Sequence, residues 1–351
     1  MDCIDLRSDT VTHPTDAMRD AMASAQVGDD VYGEDPTVLQ LQELAAELTG
    51  KQAGLFVASG TMGNVVATLV HTGRGDEVIC GLQSHLYLNE QGAMAALSGV
   101  QARPLREQPD GTLALNEIED SIRTEDDHHP VTRLVAIENT HNLCGAVPLT
   151  AAYTHAVGEL VRRQGVRLHL DGARLFNAAV SLNTSASDLA APAHSVCICL
   201  SKGLSAPVGS VLCGSSDFIR AARRARKVLG GGMRQAGVLA AAGIVALTTM
   251  VEQLGKDHDN AKVLAQMLAA VPGVVLADNA ATTNMVYFHL DDRIPHHVSE
   301  VSGALKKEGV LLDVVSNRGF RAVTHHGVSK EMVVSAVAVL NDVLENGKNS
   351  Y

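Results

Sequence analysis

Short apolar runs alternate with amphipathic stretches through the first 215 residues of the chain. Stretches such as 61–69 and 150–163 repeat apolar residues at helical spacing, whereas the runs between such stretches have the length of buried strands. Alternating strands and helices predict an α/β fold with a mostly parallel sheet. The predicted strands are 55–58, 77–80, 134–137, 166–170, 196–200 and 210–213.

The pattern changes in the last third of the chain. Residues 237–268 are helix-rich, with regular apolar spacing. Strand-like and helical stretches then mix, which predicts a small α+β unit. We therefore expect a large domain with an N-terminal arm at 1–247 and a small C-terminal domain at 248–351. The elements predicted after 268 are strands at 274–276, 285–288 and 310–312 and helices at 299–307 and 329–344.

Composition narrows the class of protein. The chain has 351 residues, 46% of them hydrophobic, which is enough for a large core. The net charge of −11 argues against nucleic acid and anionic membrane as partners, and no apolar run reaches the roughly 18 residues of a membrane span. The first residues lack the basic and apolar regions of a signal peptide, so none is expected.

Cysteine usage gives the expected compartment and argues against a metal site. Cys197 and Cys199 share one face of a predicted strand, but no second pair follows at zinc spacing, so no metal is expected. The cysteines lie mainly in apolar runs, where a thiol behaves as a small hydrophobic group. A reducing, cytoplasmic compartment fits this usage.

Two charged residues follow neighbouring predicted strands. Asp171 comes directly after the run 166–170, and Lys202 follows 196–200. Ligands of open α/β sheets bind at the carboxyl ends of the strands. A lysine that forms a Schiff base and an aspartate that keeps a pyridine nitrogen protonated are the pair that a pyridoxal phosphate (PLP) enzyme needs. The alternative is a solvated lysine and a helix-capping aspartate.

Two glycine-containing segments are candidate phosphate sites. Ser59-Gly60-Thr61 follows a strand and opens a helix, whose first backbone N–H groups can bind a phosphate. The glycine turn 230–232 follows a basic helix and can present Arg234 to a phosphate, including one on a neighbouring subunit. Each segment also reads as an ordinary loop.

Two histidines stand near these segments. His85 follows a predicted strand and can stack on a pyridine ring. His169 lies two residues before Asp171 and therefore on the same strand face. We predict that His169 supports Asp171 and does not bind a metal.

Seven motifs together resemble the low-specificity L-threonine aldolases over nearly the whole chain. That family has the aspartate aminotransferase-like fold of PLP enzymes, fold type I. The resemblance implies a large domain with a mostly parallel mixed sheet and a smaller C-terminal α+β domain. The motifs are DLRSDTVT at 5–12, GDDVYGEDPT at 28–37, SGTMGN at 59–64, ENTHN at 138–142, HLDGARL at 169–175, LSKGL at 200–204 and GGGMRQ at 230–235.

The resemblance also implies an activity and an assembly. The implied reaction is retro-aldol cleavage of L-threonine, L-allo-threonine and other β-hydroxy-α-amino acids to glycine and an aldehyde, with pyridoxal 5'-phosphate as cofactor. The implied partners are these small molecules and further copies of the chain in a homotetramer.

The resemblance assigns roles to individual residues. Lys227 corresponds to a lysine near the site. Catalytic roles fall on Lys202, His85, His128 and Asp171; cofactor contacts on Lys202, Asp171, Arg174, His85, Ser59, Gly60, Thr61 and Arg234; and substrate contacts on Ser8, Arg174 and Arg321.

Some positions depart from the family pattern. Asn89 stands where an aromatic residue is usual, His129 where an apolar or aromatic one is common, and the stretch 142–145 is unusual. The preferred aldehyde and the threo or erythro preference therefore stay open. Three other functions also stay open: a different fold type I PLP enzyme (a β-eliminating lyase or an aminotransferase), a non-catalytic protein of the PLP fold, and a metal-dependent aldolase.

Overall fold

The computed structural model describes residues 3–346. Its strands are β1 Ile4–Asp5, β2 Ala53–Val57, β3 Glu77–Gly81, β4 Gln101–Leu105, β5 Thr132–Glu138, β6 Arg167–Gly172, β7 Ser195–Cys199, β8 Ser210–Gly214, β9 Val274–Leu276, β10 Met285–Leu290, β11 Val310–Leu311, β12 Asp313–Val314 and β13 Gly319–Val323. Its α-helices are α1 Asp16–Ala23, α2 Pro36–Thr49, α3 Gly60–His71, α4 His85–Leu88, α5 Leu115–Ser121, α6 Ala151–Arg163, α7 Leu175–Leu182, α8 Ala186–Ala190, α9 Ser216–Val228, α10 Gly237–Val245, α11 Leu254–Leu268, α12 Val298–Lys307 and α13 Lys330–Asn346.

Seven strands form the central sheet in the order β2-β8-β7-β6-β5-β3-β4. β8 runs antiparallel to both of its neighbours, and the other strands are parallel to one another. The predicted α/β fold with a mostly parallel sheet is therefore confirmed. The carboxyl ends of β2, β3, β5, β6 and β7 all lie along one edge of this sheet.

The sequence pattern missed strand β4. Its residues, Gln101 to Leu105, include Arg103 and Pro104, and they are mostly half-buried. β4 is the outermost strand of the sheet, and a proline is tolerated there because one side of an edge strand forms no ladder. An apolar run therefore cannot identify it.

Helix α3 packs closely on the sheet through a glycine. A Cβ at Gly63 would contact the sulfur of Cys197 on β7. Ser59 caps the helix, and its Oγ accepts a hydrogen bond of 3.1 Å from the N–H of Met62. The close packing brings the first turn of α3 to the sheet edge where β7 ends.

The C-terminal part builds a second sheet. Strands β12-β13-β10-β9 pair in that order, all antiparallel. Phe288 and Phe320 stack in its core with ring centroids 5.3 Å apart. β1 pairs in parallel with β11, and Leu6 is buried in the same core. Leu254, just beyond the proposed boundary at 247/248, packs in the core of the large unit, and the division stays a prediction.

The helix-rich stretch 237–268 is not one helix. α10 continues into a π-helical turn at Ala246–Met250, and α11 then leaves at 66°. Within residues 3–346, no single helix has the length and apolar composition to cross a membrane, and this bent pair meets those criteria only when its two parts are combined.

We expect Gly63→Ala to lower the free energy of unfolding by about 1–3 kcal/mol, since the new methyl group overlaps Cys197 against a fixed sheet. Urea or thermal unfolding measures this. The matched control is Gly303→Ala in α12, where a Cβ would meet no atom within 4 Å. Alanine there should stabilise the helix by about 0.5–1 kcal/mol. Equal effects of both substitutions would contradict the packing argument.

Candidate active site

A cavity of about 280 Å³ opens at the carboxyl edge of the central sheet. Glu138 at the end of β5 pairs in register with Asp171 on β6, and Lys202 follows β7 by three residues. The cavity brings together seven predicted site residues, which are Lys202, Asp171, His85, Arg174, Ser59, Gly60 and Thr61. Their convergence is what the strand-end pattern predicts.

The carboxylate of Asp171 is buried and hydrogen-bonded. Asn64 donates from Nδ2 to Asp171 Oδ2 at 2.8 Å, and the backbone N–H of Ala173 donates to Oδ1 at 3.1 Å. Asn64 also donates from Nδ2 to Glu90 Oε1 at 2.8 Å. One amide group thus lies between two buried carboxylates and gives a hydrogen bond to each.

His85 is held from two sides. Its backbone N–H donates to Glu138 Oε2 at 2.7 Å, and its Nδ1 lies 2.8 Å from Glu90 Oε1. The hydrogen bond with Glu90 raises the pKa of His85 above its usual value, although burial opposes the rise. Burial and the nearby charge of Asp171 raise the pKa of Glu90. The contact with Glu90 therefore makes the His85 ring more basic. It uses Nδ1, so Nε2 has no contact with Glu90.

Arg174 is anchored by an aspartate that the sequence analysis did not assign to the site. Its Nε and Nη2 donate to Asp9 at 2.8 Å and 2.6 Å, a bidentate pair. Burial alone would raise the pKa of Asp9, but the charge and hydrogen bonds of Arg174 outweigh it and hold the pKa well below the usual range. Arg174 therefore lines the cavity in a fixed orientation.

Arg321 and Ser8 reach the cavity only through neighbours. Arg321 on β13 donates from Nη1 to Asn142 Oδ1 at 3.1 Å, and Asn142 lines the cavity. Ser8 Oγ accepts from the hydroxyl of Thr10 at 2.9 Å, and Thr10 also lines it. Both residues lie one side chain away from the space that a substrate would enter.

Within a single chain, three of the predicted residues lie away from this cavity. His128 lies on the loop between α5 and β5, pairs with Asp126, and has an 87% exposed side chain. Arg234 pairs with Asp29 at 2.9 Å and is 55% exposed. Lys227 lines a separate cavity of about 510 Å³ beside α9.

Four acidic or amide residues that hold the predicted site residues in place were not themselves assigned roles: Asn64, Glu90, Asp9 and Glu138. Asn64, Asp9 and Glu138 stand inside motifs that the sequence analysis singled out, so a signal for them was present. Glu90 lies in no motif. The sequence offers only its position five residues after His85, on a chain turn that cannot be read from hydrophobic spacing.

His85, Glu90 and Asp171 place potential metal ligands within 4.8 Å of one another. The nitrogen of Asn64 already donates to both carboxylates, so a cation there would compete with that amide group. The prediction of no metal stays a prediction.

The comparisons with known proteins identify the family. A family model described as "Beta-eliminating lyase" matches residues 5–291. The chain belongs to this family, among the low-specificity L-threonine aldolases. It is 46% identical to a probable low-specificity L-threonine aldolase 2 of Arabidopsis thaliana, over 93% of each chain. It is 44% identical to the low specificity L-threonine aldolase of Escherichia coli K12, over 95% of this chain and 97% of that one.

A solved structure of a Leishmania major threonine aldolase has a similar fold. The TM-score is 0.82 at 22% identity, and the match covers 97% of this chain and 99% of that one. The predicted family and the fold of PLP-dependent transferases are thereby confirmed.

The cofactor of this family is PLP, and the residues present fit it. The first N–H groups of α3 are free of intrahelical partners, as at any helix start, and suit a phosphate. Ser210 Oγ is buried without a hydrogen-bond partner and lies 3.7 Å from where a Cβ of Gly60 would be. The buried hydroxyl and the helix start suit the phosphate of PLP. The aspartate suits its ring nitrogen, and the lysine suits its aldehyde.

We expect Glu90→Gln to lower the pKa of His85, because the substitution removes the carboxylate that favours the protonated ring. NMR titration of the His85 ring in the cofactor-free chain measures this. His155, an exposed histidine that bonds only a helix carbonyl, serves as the internal reference. An unchanged His85 pKa would show that Glu90 does not set its protonation.

Proposed function

We propose that the protein is a PLP-dependent aldolase that cleaves L-threonine, L-allo-threonine and other β-hydroxy-α-amino acids to glycine and an aldehyde. One observation carries the proposal: Lys202 and Asp171 share a cavity with the start of α3, in a chain 46% identical to a low-specificity L-threonine aldolase. The protein is accordingly a carbon–carbon lyase.

Four groups hold the cofactor in this proposal. Lys202 would hold its aldehyde carbon, Asp171 its ring nitrogen, Ser59-Gly60-Thr61 its phosphate and His85 its pyridine ring. When bound, PLP supplies the electron sink for the pair released as the Cα–Cβ bond breaks. The carboxylate of Asp171 accepts a hydrogen bond from Asn64, which would hold it in place to accept from the ring N–H of PLP.

The substrate carboxylate is the proposed ligand of Arg174, Arg321 and Ser8. A guanidinium binds a carboxylate through two parallel hydrogen bonds, which fixes orientation as well as position. Asp9 holds Arg174 and Asn142 holds Arg321, so both donors are oriented before the substrate arrives. Holding the carboxylate in this way would fix how Cα of the substrate is oriented towards the cofactor.

His85 is the proposed acceptor of the β-hydroxyl proton. Its Nδ1 contacts Glu90, which raises the pKa of the ring, so Nε2 becomes a stronger base for the hydroxyl. His128, on the exposed loop between α5 and β5, is the proposed second histidine of the active site. Loss of the hydroxyl proton and cleavage of the Cα–Cβ bond release the aldehyde, and a proton returned to Cα gives glycine.

We also propose that the chain works as a homotetramer in the cytoplasm. The exposed Arg234 supports an assembly in which it reaches the phosphate of a neighbouring subunit, with Lys227 near the same interface. All six cysteines are free thiols, which supports a reducing compartment.

We expect Lys202→Ala to lower kcat/KM for L-threonine by about a thousandfold or more, because the Schiff-base amine is lost. Glycine and acetaldehyde are quantified together with ammonia and keto acid, which separates aldol cleavage from elimination and transamination. Lys262→Ala, a surface lysine paired only with Asp259, is the matched control and should keep wild-type rates. Cleavage by Lys202→Ala at the wild-type rate would contradict the role of Lys202. Ammonia and a keto acid as the main products of the wild type would contradict aldol cleavage.

We expect Arg234→Gln to weaken PLP binding by about 10–100-fold, the effect of losing a charge-assisted hydrogen bond. Dilution of the wild type should release PLP as the subunits separate, measured by absorbance and light scattering. Arg293→Gln is the control, since Arg293 is also an exposed arginine whose side chain pairs with an aspartate, Asp291. A monomer that retains PLP fully would contradict the contribution from a neighbour.

A further inference from the structure

Three buried or half-buried residues lie next to the cavity without lining it. His71, Ser195 and His169 form a continuous series of hydrogen bonds that ends at Asn64. His71 Nε2 lies 2.8 Å from Ser195 Oγ, and Ser195 Oγ lies 2.8 Å from His169 Nδ1. His169 Nε2 lies 3.0 Å from Asn64 Oδ1, and Asn64 Nδ2 then donates to Asp171.

The protons in this series can be assigned by starting at the carboxylates. Asn64 must present its NH₂ group to Asp171 and Glu90, because ionised carboxylates only accept hydrogen bonds. Its Oδ1 therefore accepts, and His169 must donate from Nε2–H. Burial lowers the pKa of His169 to about 4, so the ring is neutral and carries a single N–H.

The proton positions of Ser195 and His71 follow from that of His169. With its proton on Nε2, His169 accepts at Nδ1, so the hydroxyl of Ser195 donates to it. The oxygen of Ser195 then accepts from His71 Nε2–H. Burial, followed by nearby positive groups, lowers the pKa of His71 to about 3, so this ring is neutral as well. Every donor in the series points towards Asp171.

We infer that His71, Ser195 and His169 form a one-directional hydrogen-bond relay that fixes the amide of Asn64 with its NH₂ group towards Asp171. The inference deepens the proposed function, since it rests on Asp171 as the partner of the cofactor's ring nitrogen. A flipped Asn64 would place Oδ1 against two carboxylates and lose two charge-assisted hydrogen bonds. The three relay residues are positioning residues, because none of them lines the cofactor cavity.

The relay runs from the carboxyl ends of the strands to their amino ends, since Asn64 lies near the start of α3, His71 is its last residue and Ser195 is the first residue of β7. His71, at the end of α3, stacks on Phe218 with ring centroids 4.6 Å apart and lines a surface cavity of about 710 Å³ with His194. The orientation of the ring is therefore fixed by packing, and its Nε2–H is available to Ser195. Ser195 and His169 are completely buried, so no solvent can substitute for either.

The test uses holoenzymes with His169→Phe, which keeps a ring but has no donor. We expect the equilibrium dissociation constant of PLP, measured by dialysis, to rise on the order of tenfold. The kcat for L-threonine should fall by a similar factor with KM unchanged, because the electron sink is affected and carboxylate binding is not. The absorption spectrum of the bound cofactor should shift as its ring nitrogen loses protonation.

Three further variants make the test specific. His169→Gln restores a donor at the position of Nε2 and should recover part of both losses. His71→Phe keeps the stacking on Phe218, removes the outermost donor, and should give a smaller change in the same direction. His194→Gln is the matched control, since His194 lines the same surface cavity and accepts only from the N–H of Leu168. It should leave the spectrum and kcat at wild-type values.

The outcomes separate the relay from the proposed function. Asp171→Asn with wild-type PLP affinity and kcat would overturn the assigned role of Asp171. Losses in Asp171→Asn together with wild-type behaviour of His169→Phe would overturn the relay alone. If His169→Phe does not fold, ¹⁵N NMR of the wild-type holoenzyme decides: a neutral His169 with its proton on Nε2 is expected, and a proton on Nδ1 overturns the relay.

Discussion

The amide group of Asn64 allows two carboxylates, Asp171 and Glu90, to be buried side by side. Burial and the nearby charge of Asp171 raise the pKa of Glu90, and the hydrogen bond from Asn64 opposes that rise. Asn64 gives each a hydrogen bond of 2.8 Å. Asn64 lies in the first half of α3, whose N-terminus also faces the cavity, and Gly63 lets that helix approach β7. The phosphate site and the carboxylate pair therefore depend on one helix–sheet contact.

The sequence pattern predicted that Asp171 and Lys202 lie close together, but it did not predict which residues hold the neighbouring side chains in place. Asp171 and Lys202 could be found because a parallel sheet places its strand ends together, which is a rule about local pattern and topology. The motif at 5–12 contains Asp9 but does not give its partner, since the contact with Arg174 joins residues 165 positions apart through an arm without helical or strand periodicity. Glu90 follows the four-residue helix α4, whose geometry depends on Glu138 binding the backbone of His85.

Within a single chain, the positions of Arg234 and His128 agree least with the roles that the resemblance implies. A motif carries over a residue's role, but it does not show which subunit contains the partner of that residue. Arg234 pairs with its own Asp29, and His128 lies on an exposed loop. An exposed arginine with only one carboxylate partner keeps donors for a second anion. Both positions are thus consistent with a site completed between copies, which no hydrophobic pattern along one chain could reveal.

The proposed ligands of the substrate and those of the cofactor lie on different parts of the fold. The cofactor residues follow strands of the central sheet, whereas Arg321 lies on β13 of the C-terminal sheet. Asp9 follows the arm that begins with β1 on β11 and also accepts from Asn284 at 3.3 Å. Arg321 is therefore held by the C-terminal sheet and Arg174 by the N-terminal arm, whereas Asp171 is held by Asn64 on α3 and by the backbone of Ala173.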